Sequence, residues 1–181
     1  THHEQVAAIA AEGYARMNNK LGACIVTSGP GGTNALTGTL CSWLDSIPVI
    51  VISGQVNKEM TTNYTGLPLR QLGDQEFNII ESVKNMTKYA VQVNDASEIR
   101  YHLEKACNLA TSGRPGPVWI DIPGDVQLAQ MPEESLSFHP PVGYVFDAFQ
   151  SVRDAIAQTE RPLILAGYGI RQSGMVEYFK T

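Results

Sequence analysis

Three strings in this chain hold residue types and spacings that could do chemistry. Thr27-Ser28-Gly29-Pro30-Gly31-Gly32-Thr33-Asn34 puts glycines at a turn, where they permit positive φ and let a ligand approach bare backbone. As a dinucleotide motif the string is incomplete, because Gly29-x-Gly31 is followed by Asn34 where a third glycine belongs. As a phosphate loop it lacks the lysine, and Ser28 is not flanked as in a serine-hydrolase elbow. It reads as a ligand turn of another kind, or as a tight turn with no ligand. His2-His3-Glu4 offers imidazoles and a carboxylate. Adjacent helical residues point in different directions and chelate poorly, so a metal role does not follow; on periodicity alone Glu4 is a capping carboxylate. Gly167-Tyr168-Gly169, followed by Gly174, could touch a nucleotide or be a plain turn.

The elements that must place these strings alternate in type. A helix is expected from His3 to Asn19, with Val6, Ile9, Ala10, Gly13, Tyr14 and Met17 as its apolar face. Thr1 as N-cap and Glu4 three residues on fit a capping box. Strands are expected at Ala23–Thr27, Ile47–Ser53, Ala90–Val93 and Pro117–Ile122, and helices at Thr33–Leu44, Asp74–Val83 and Asp95–Thr111, the last with Asp95 and Glu98 as a second capping box. Residues 56–73 read as a long surface loop, and such loops are often functional. Short, nearly all-apolar strands alternating with helices imply an α/β fold, a parallel sheet with helices on both faces. Ligands of such sheets bind beyond the carboxyl ends of the strands, where the Ser28–Gly32 and Gly54-Gln55 turns fall.

Pro123, Pro132, Pro140 and Pro141 make residues 123–143 read as an interdomain linker. Beyond it, Val145, Phe149, Val152 and Ile156 mark an amphipathic helix, Pro162–Ala166 a strand and Gly167-Tyr168-Gly169 a turn, the opening of a second α/β domain.

Composition bounds the function. Hydrophobic residues make up 43% of 181 and charged residues 17%, enough for a folded core. Lys+Arg number 13 against 18 Asp+Glu, a formal charge of −5, so no basic surplus exists for nucleic acid or an anionic membrane. No apolar run reaches membrane-spanning length. Cys24, Cys41 and Cys107, widely spaced among apolar neighbours, read as reduced, buried thiols of a cytoplasmic protein. The chain starts without Met and ends straight after a helix-like run, which reads as a fragment whose sheet has an uncovered edge.

Taken in order, several strings change the picture. His3-Glu4-Gln5 opens a helix that continues Ala11-Glu12-Gly13-Tyr14-Ala15-Arg16. Then follow the Thr27–Asn34 string, Asp45-Ser46-Ile47-Pro48, Ser53-Gly54-Gln55 and Thr111-Ser112-Gly113-Arg114-Pro115-Gly116-Pro117-Val118. Their order and spacing resemble the pyrimidine-binding domain of thiamine-diphosphate enzymes, most closely the acetolactate synthase-like group. The resemblance implies a pyrimidine-binding domain over residues 1–128, without that domain's first elements, a linker over 129–143 and the start of a central α/β domain over 144–181.

The resemblance implies roles as well. Glu4 matches the family's catalytic glutamate, whose carboxyl hydrogen-bonds N1′ of the cofactor's aminopyrimidine and so promotes removal of the thiazolium C2 proton. That task suits a carboxyl whose pKa is raised by burial against the cofactor. Pro30 and Asn34, with backbone groups beside Gly29 and Gly31, match the turn along the aminopyrimidine, and Gln75 matches an active-site glutamine. Thiamine diphosphate is the implied cofactor. Mg2+ would be held through a diphosphate-binding domain that this chain lacks, since Gly73-Asp74-Gln75 and Gly124-Asp125-Val126 do not match its signature. FAD is allowed by the central domain of acetolactate synthases. The implied reaction is carboligation or decarboxylation of a small-molecule 2-oxo acid. The implied partner is the diphosphate-binding domain of a neighbouring subunit, in a homodimer or homotetramer, and the chain alone would be inactive. Gly32 stands for the usual Ala, Asp74 for Phe, and Asn57-Lys58-Glu59 for Pro-Arg-Arg, so the substrate stays open. From the residues alone, a non-catalytic α/β interaction module and a Rossmann-like nucleotide binder remain the alternatives.

Overall fold

The computed structural model describes residues 1–132, 135–141 and 149–180. The chain divides into two compact units, Thr1–Pro140 and Pro141–Thr181. In the first, strands β1 (Gly22–Val26), β2 (Val49–Gln55), β3 (Tyr89–Gln92) and β4 (Val118–Pro123) form a parallel sheet in the order β1-β2-β4-β3. This is the α/β class expected from the alternation of elements. Helices α1 (Glu4–Asn18), α2 (Pro30–Asn34), α3 (Leu36–Leu44), α4 (Thr62–Thr65), α5 (Ile79–Val83), α6 (Ile99–Thr111) and α7 (Gly124–Leu128) connect and cover the strands.

Successive strand residues point to opposite faces, and two cores result. On one face Val49, Val51 and Trp119 pack with Ala8, Ala11 and Ala15 of α1 and Ile79 and Val83 of α5. On the other, Ile50, Val118 and Ile120 pack with Ala106 and Ala110 of α6 and Val126 of α7. The central strands β2 and β4 are covered on both sides, which is why they read as continuous apolar runs. β1 is an edge among the described residues and alternates between buried and exposed positions.

The helices against the first core reverse the expected polarity. Val6, Ile9, Tyr14 and Met17 are exposed, while α1 buries Ala8, Ala11, Glu12 and Ala15. Likewise α3 buries Gly38, Thr39 and Ser42 and exposes Leu40, Trp43 and Leu44. The reason is close approach: a Cβ on Gly38 would stand 2.6 Å from Ala8 Cβ and 2.9 Å from the Ile9 nitrogen. Only small residues fit such a crossing.

Several boundaries also differ. His3, not Thr1, is the N-cap of α1, its Nδ1 accepting from the Gln5 N–H at 3.1 Å. Glu4 is therefore the first helical residue and no capping box forms with Thr1. The Thr33–Leu44 helix is two helices and begins earlier, at Pro30, whose fixed φ suits a first helical position. Residues 74–78 are not helical, because Gln75 adopts a φ of 54° and Asn78 caps α5 by accepting from the Glu81 N–H. Asp95 caps a 3-10 turn over Ala96–Glu98, and Glu98 faces His102 at 3.6 Å. The loop 56–73 is folded around Glu76, which is 6% exposed. Its carboxylate accepts from Thr62 N–H and Oγ1 and from Leu72 N–H. α7 occupies the start of the proline-rich stretch.

The second unit holds α8 (Phe149–Ala157), α9 (Gly169–Gln172) and α10 (Val176–Lys180). Val145 lies outside the described residues. Pro162–Ala166 forms no strand, and Leu163, Ile164 and Leu165 are exposed. A strand needs a neighbour to pair with, and the described residues of this unit supply none. Of the cysteines only Cys24 is buried; Cys41 and Cys107 are exposed, correcting the reading of three buried thiols. Among the described residues no helix is long and apolar enough to cross a membrane.

Candidate functional site

The carboxyl ends of β1 and β2 and the N-terminus of α1 converge on one place. Capping by His3 starts α1 at Glu4, so the Glu4 carboxyl projects from the first turn. The turn after β1 reaches it: Asn34 Nδ2 donates to Glu4 Oε2 at 3.1 Å. Gly31 lies on the other oxygen's side, where a Cβ would stand 3.5 Å from Glu4 Oε1 and 2.6 Å from Thr27 Cγ2. The glycine keeps open the space beside the carboxylate.

Gly29 meets the opposite wall. Its φ is 53°, and a Cβ there would stand 2.1 Å from the Gln75 carbonyl oxygen. Two left-handed residues, Gly29 and Gln75, thus touch back to back. A left-handed glutamine is a strained placement that its surroundings must hold.

The expected site residues therefore come together around one turn but face two clefts. One, of about 730 Å³, includes Glu4, Thr27, Ser28, Ser53, Gly54 and Gln55, with His2 and His3 at its rim. The other, of about 340 Å³, is lined by Gly29, Pro30, Thr33, Gln75, Glu76 and Phe77 among others. The turn is the wall between them: Ser28 lines the first cleft, and Gly29 and Pro30 line the second.

The Glu4 pKa is lowered from the ordinary 4.5, first by the Asn34 hydrogen bond and then by a backbone one; His3 adds a smaller pull and burial opposes weakly. Hydrogen bonds to the ionised carboxylate favour it more than its desolvation disfavours it, and that sets the direction. His2 and His3 do not build a metal centre with Glu4. Among the described residues no group of three or more His, Cys, Asp or Glu could hold a metal ion.

Sequence reasoning passed over Asp121. It stands in β4 in register between Ser53 of β2 and Gln92 of β3, 1% exposed. Ser53 Oγ donates to Oδ1 at 2.5 Å. Gln92 and Gln55 donate to Oδ2 at 2.9 and 3.3 Å, and Trp119 Nε1 donates to Ser53 Oγ at 2.8 Å. Burial raises the Asp121 pKa, and its Ser53, Gln92 and Gln55 donors pull it part of the way back. The signal was a single acid inside the apolar run Val118-Trp119-Ile120-Asp121-Ile122.

The groups on the Glu4 side of the turn fit an aminopyrimidine ring. Such a ring offers ring nitrogens and an amino group, and here the Glu4 carboxylate, held by the Asn34 amide, stands beside the space that Gly31 keeps clear, while the Gln75 amide belongs to the other cleft.

Comparison with known proteins agrees. Residues 1–82 match the family described as thiamine pyrophosphate enzyme, N-terminal TPP binding domain. The chain is 36% identical to the acetolactate synthase large subunit of Lactococcus lactis, an alignment covering 99% of this chain and 31% of that protein. It is 39% identical to a probable acetolactate synthase large subunit of Methanocaldococcus jannaschii, covering 98% and 30%. It is 38% identical to the acetolactate synthase isozyme 2 large subunit of Escherichia coli, covering 93% and 30%. The chain thus spans about a third of the length of the relatives it matches. With the parallel α/β fold, these matches support a thiamine-diphosphate-dependent, acetolactate synthase-like N-terminal domain in this chain.

Proposed function

We propose that this chain supplies the pyrimidine-binding side of a thiamine-diphosphate-dependent carboligase or decarboxylase that acts on a 2-oxo acid, with Glu4 as its catalytic acid–base residue. The observation that carries this reading is the Glu4 carboxyl at the carboxyl end of a parallel sheet, held by Asn34 and flanked by Gly31. When bound, thiamine diphosphate supplies a carbon nucleophile that the twenty side chains do not offer. Glu4 holds or gives up a proton at Oε1, while Asn34 fixes Oε2 and keeps the carboxyl from rotating. Pro30 and the main chain at Gly29 and Gly31 orient a flat ring. Gln75 presents its amide at the mouth of the smaller cleft. A ring seated against Glu4 would strip its water and push its pKa up, opposing Asn34.

In this reading residues 1–128 are the pyrimidine-binding part, 129–143 the linker and 144–181 the start of a central α/β domain. Mg2+ would be held through a diphosphate-binding domain of a neighbouring subunit, in a cytoplasmic homodimer or homotetramer. The exposed Val6, Ile9 and Met17 of α1 and Leu40, Trp43 and Leu44 of α3 support a subunit contact on this side of the domain. A flavin absorption spectrum of the full-length protein would settle whether FAD belongs to it.

The test is Glu4→Gln in the full-length protein. Wild-type protein should bind thiamine diphosphate with magnesium and speed exchange of the cofactor's C2 proton. The variant should keep the fold by circular dichroism and slow that exchange by at least a hundredfold. Exchange at the wild-type rate would remove Glu4 from the mechanism.

A further inference from the structure

A buried carboxylate with neutral partners is an unusual thing to keep in a core. Asp121 is 1% exposed, and its partners are one hydroxyl and two amides. Such a group stabilises poorly, since a well-packed apolar side chain would avoid the desolvation altogether. Its arrangement is nevertheless specific. Ser53 Oγ already accepts the Trp119 indole N–H, so its own hydrogen is free to point at Asp121. Gln92 reaches the second oxygen from the neighbouring strand.

Gln55 carries the arrangement outward. Its Nε2 donates both to Asp121 Oδ2 at 3.3 Å and to the Phe77 carbonyl at 2.9 Å, and its Oε1 accepts from the Val56 N–H at 3.0 Å. The amide can turn neither end without losing a bond. Phe77 lies two residues beyond Gln75, whose carbonyl abuts Gly29. The two ends of β2 and β4 are thereby linked to the loop segment that closes the smaller cleft.

We infer that Asp121 is a positioning residue: through Gln55 and the Phe77 carbonyl it fixes the Gln75–Phe77 segment against the Gly29–Pro30 turn. This deepens the proposed function, and its consequence for cofactor binding rests on that reading. The positioning itself does not. Asp121→Asn keeps the volume but replaces one acceptor oxygen by a donor, which must then face either Ser53 or the two glutamines. Facing the glutamines it meets two donors; facing Ser53 it needs the hydroxyl to turn its hydrogen away, and the remaining neutral oxygen holds Gln55 and Gln92 more weakly than a carboxylate does.

The test uses the full-length protein and two measurements. In hydrogen exchange, Asp121→Asn should speed exchange of residues 55–56 and 73–79 at least tenfold and leave residues 22–26 of β1 within twofold. Gln55→Leu should reproduce that pattern, and the double variant should add little to either. Gly13→Ala, in α1 with nothing within 4 Å of its Cβ, should leave residues 73–79 unchanged. In calorimetry with thiamine diphosphate and magnesium, Asp121→Asn and Gln55→Leu should each weaken binding about tenfold, with Gly13→Ala near wild type. Exchange in residues 73–79 that stays at the wild-type rate, or that rises evenly across the sheet, overturns the inference. Should Asp121→Asn fail to fold, Gln55→Leu alone carries the test with the same outcomes. Wild-type protein that does not bind the cofactor sinks the proposed function instead, while the exchange pattern still judges the positioning.

Discussion

Gly29→Ala isolates the physical claim on which the site rests, that main chain meets main chain behind the turn. Two costs are separable. Gly29 has φ 53° and ψ −115°, a region nearly closed to residues with a Cβ, and holding alanine there costs roughly 1–3 kcal/mol. The new methyl would also stand 2.1 Å from the Gln75 carbonyl oxygen and 3.1 Å from its carbon. Backbone must move by about 1 Å, and overpacking of that kind costs roughly 1–3 kcal/mol. Partial relief of one strain by the other brings the sum to about 3 kcal/mol. For a urea dependence of about 1–3 kcal/mol/M, the midpoint falls by roughly 1–3 M. Trp119, fully buried, is a suitable reporter in a Trp43→Phe background, since the chain holds 2 tryptophans. Gly13→Ala is the control: nothing lies within 4 Å of its Cβ and it sits in α1, so it should gain up to about 1 kcal/mol of helix propensity. A Gly29→Ala midpoint within the error of wild type would refute the close approach, and with it the wall that divides the two clefts.

Three further outcomes follow from the same geometry. Asn34→Ala should let the Glu4 pKa climb back toward 4.5, read by carbon-13 chemical shift; because the native value is lowered, the stability Glu4 contributes is present above the ordinary value and lost as pH falls through the lowered one, so the wild-type advantage over Asn34→Ala should shrink in acid. Asp121 has the opposite sign: its pKa is raised from 3.8 by burial, so its contribution is fully present below 3.8 and declines as pH rises through the raised value, and the melting-temperature difference between wild type and Asp121→Asn should fall from pH 4 upward. Gly38→Val should cost about 2–3 kcal/mol, because its side chain would enter the space of Ala8 Cβ at 2.6 Å; a melting temperature equal to wild type would contradict the tight α1–α3 crossing.

The central strands were legible because burial on both faces forces continuous apolar runs, and Val49–Val51 and Val118–Ile120 read that way. The turn was legible because only glycine tolerates what Gly29 and Gly31 do. The polarity of α1 was not. Periodicity reveals that a helix has two faces, and convention assigns the large apolar one to the core. Here the crossing at Gly38 is too close for large residues, so the alanine face goes inward and Val6, Ile9 and Met17 are left outside. Pro162–Ala166 misled for a different reason: a short apolar run bounded by proline and glycine favours a strand, but pairing creates one. Asp121 and Glu76 were missed because a single acid carries no period. Apart from Leu72, four residues before Glu76, their partners come from 14 to 68 residues away along the chain, which no local window contains. Gln75, by contrast, was placed by family pattern, while its left-handed backbone, the physical reason residues 74–78 leave the helix, has no signature in a glutamine.

The two glycines of the turn do different work, and that difference explains why the string needs both. Gly29 yields to a carbonyl on the loop side, whereas Gly31 yields to Thr27 and the Glu4 carboxylate on the helix side. Between them stands Pro30, which fixes φ at the start of α2 and donates no N–H. The wall separating the Glu4 cleft from the Gln75 cleft is therefore a single stretch of main chain with little side chain on it. One cleft offers a flat ring a carboxylate, Glu4, and the other an amide, Gln75. A methyl on Gly31 would narrow the carboxylate side and leave the Gln75 contact alone; a methyl on Gly29 would do the reverse. Ligand binding that is lost with Gly31→Ala but survives a loop-side change at Gln75 would assign the ring to the Glu4 side of the wall, and the opposite pattern would assign it to the other.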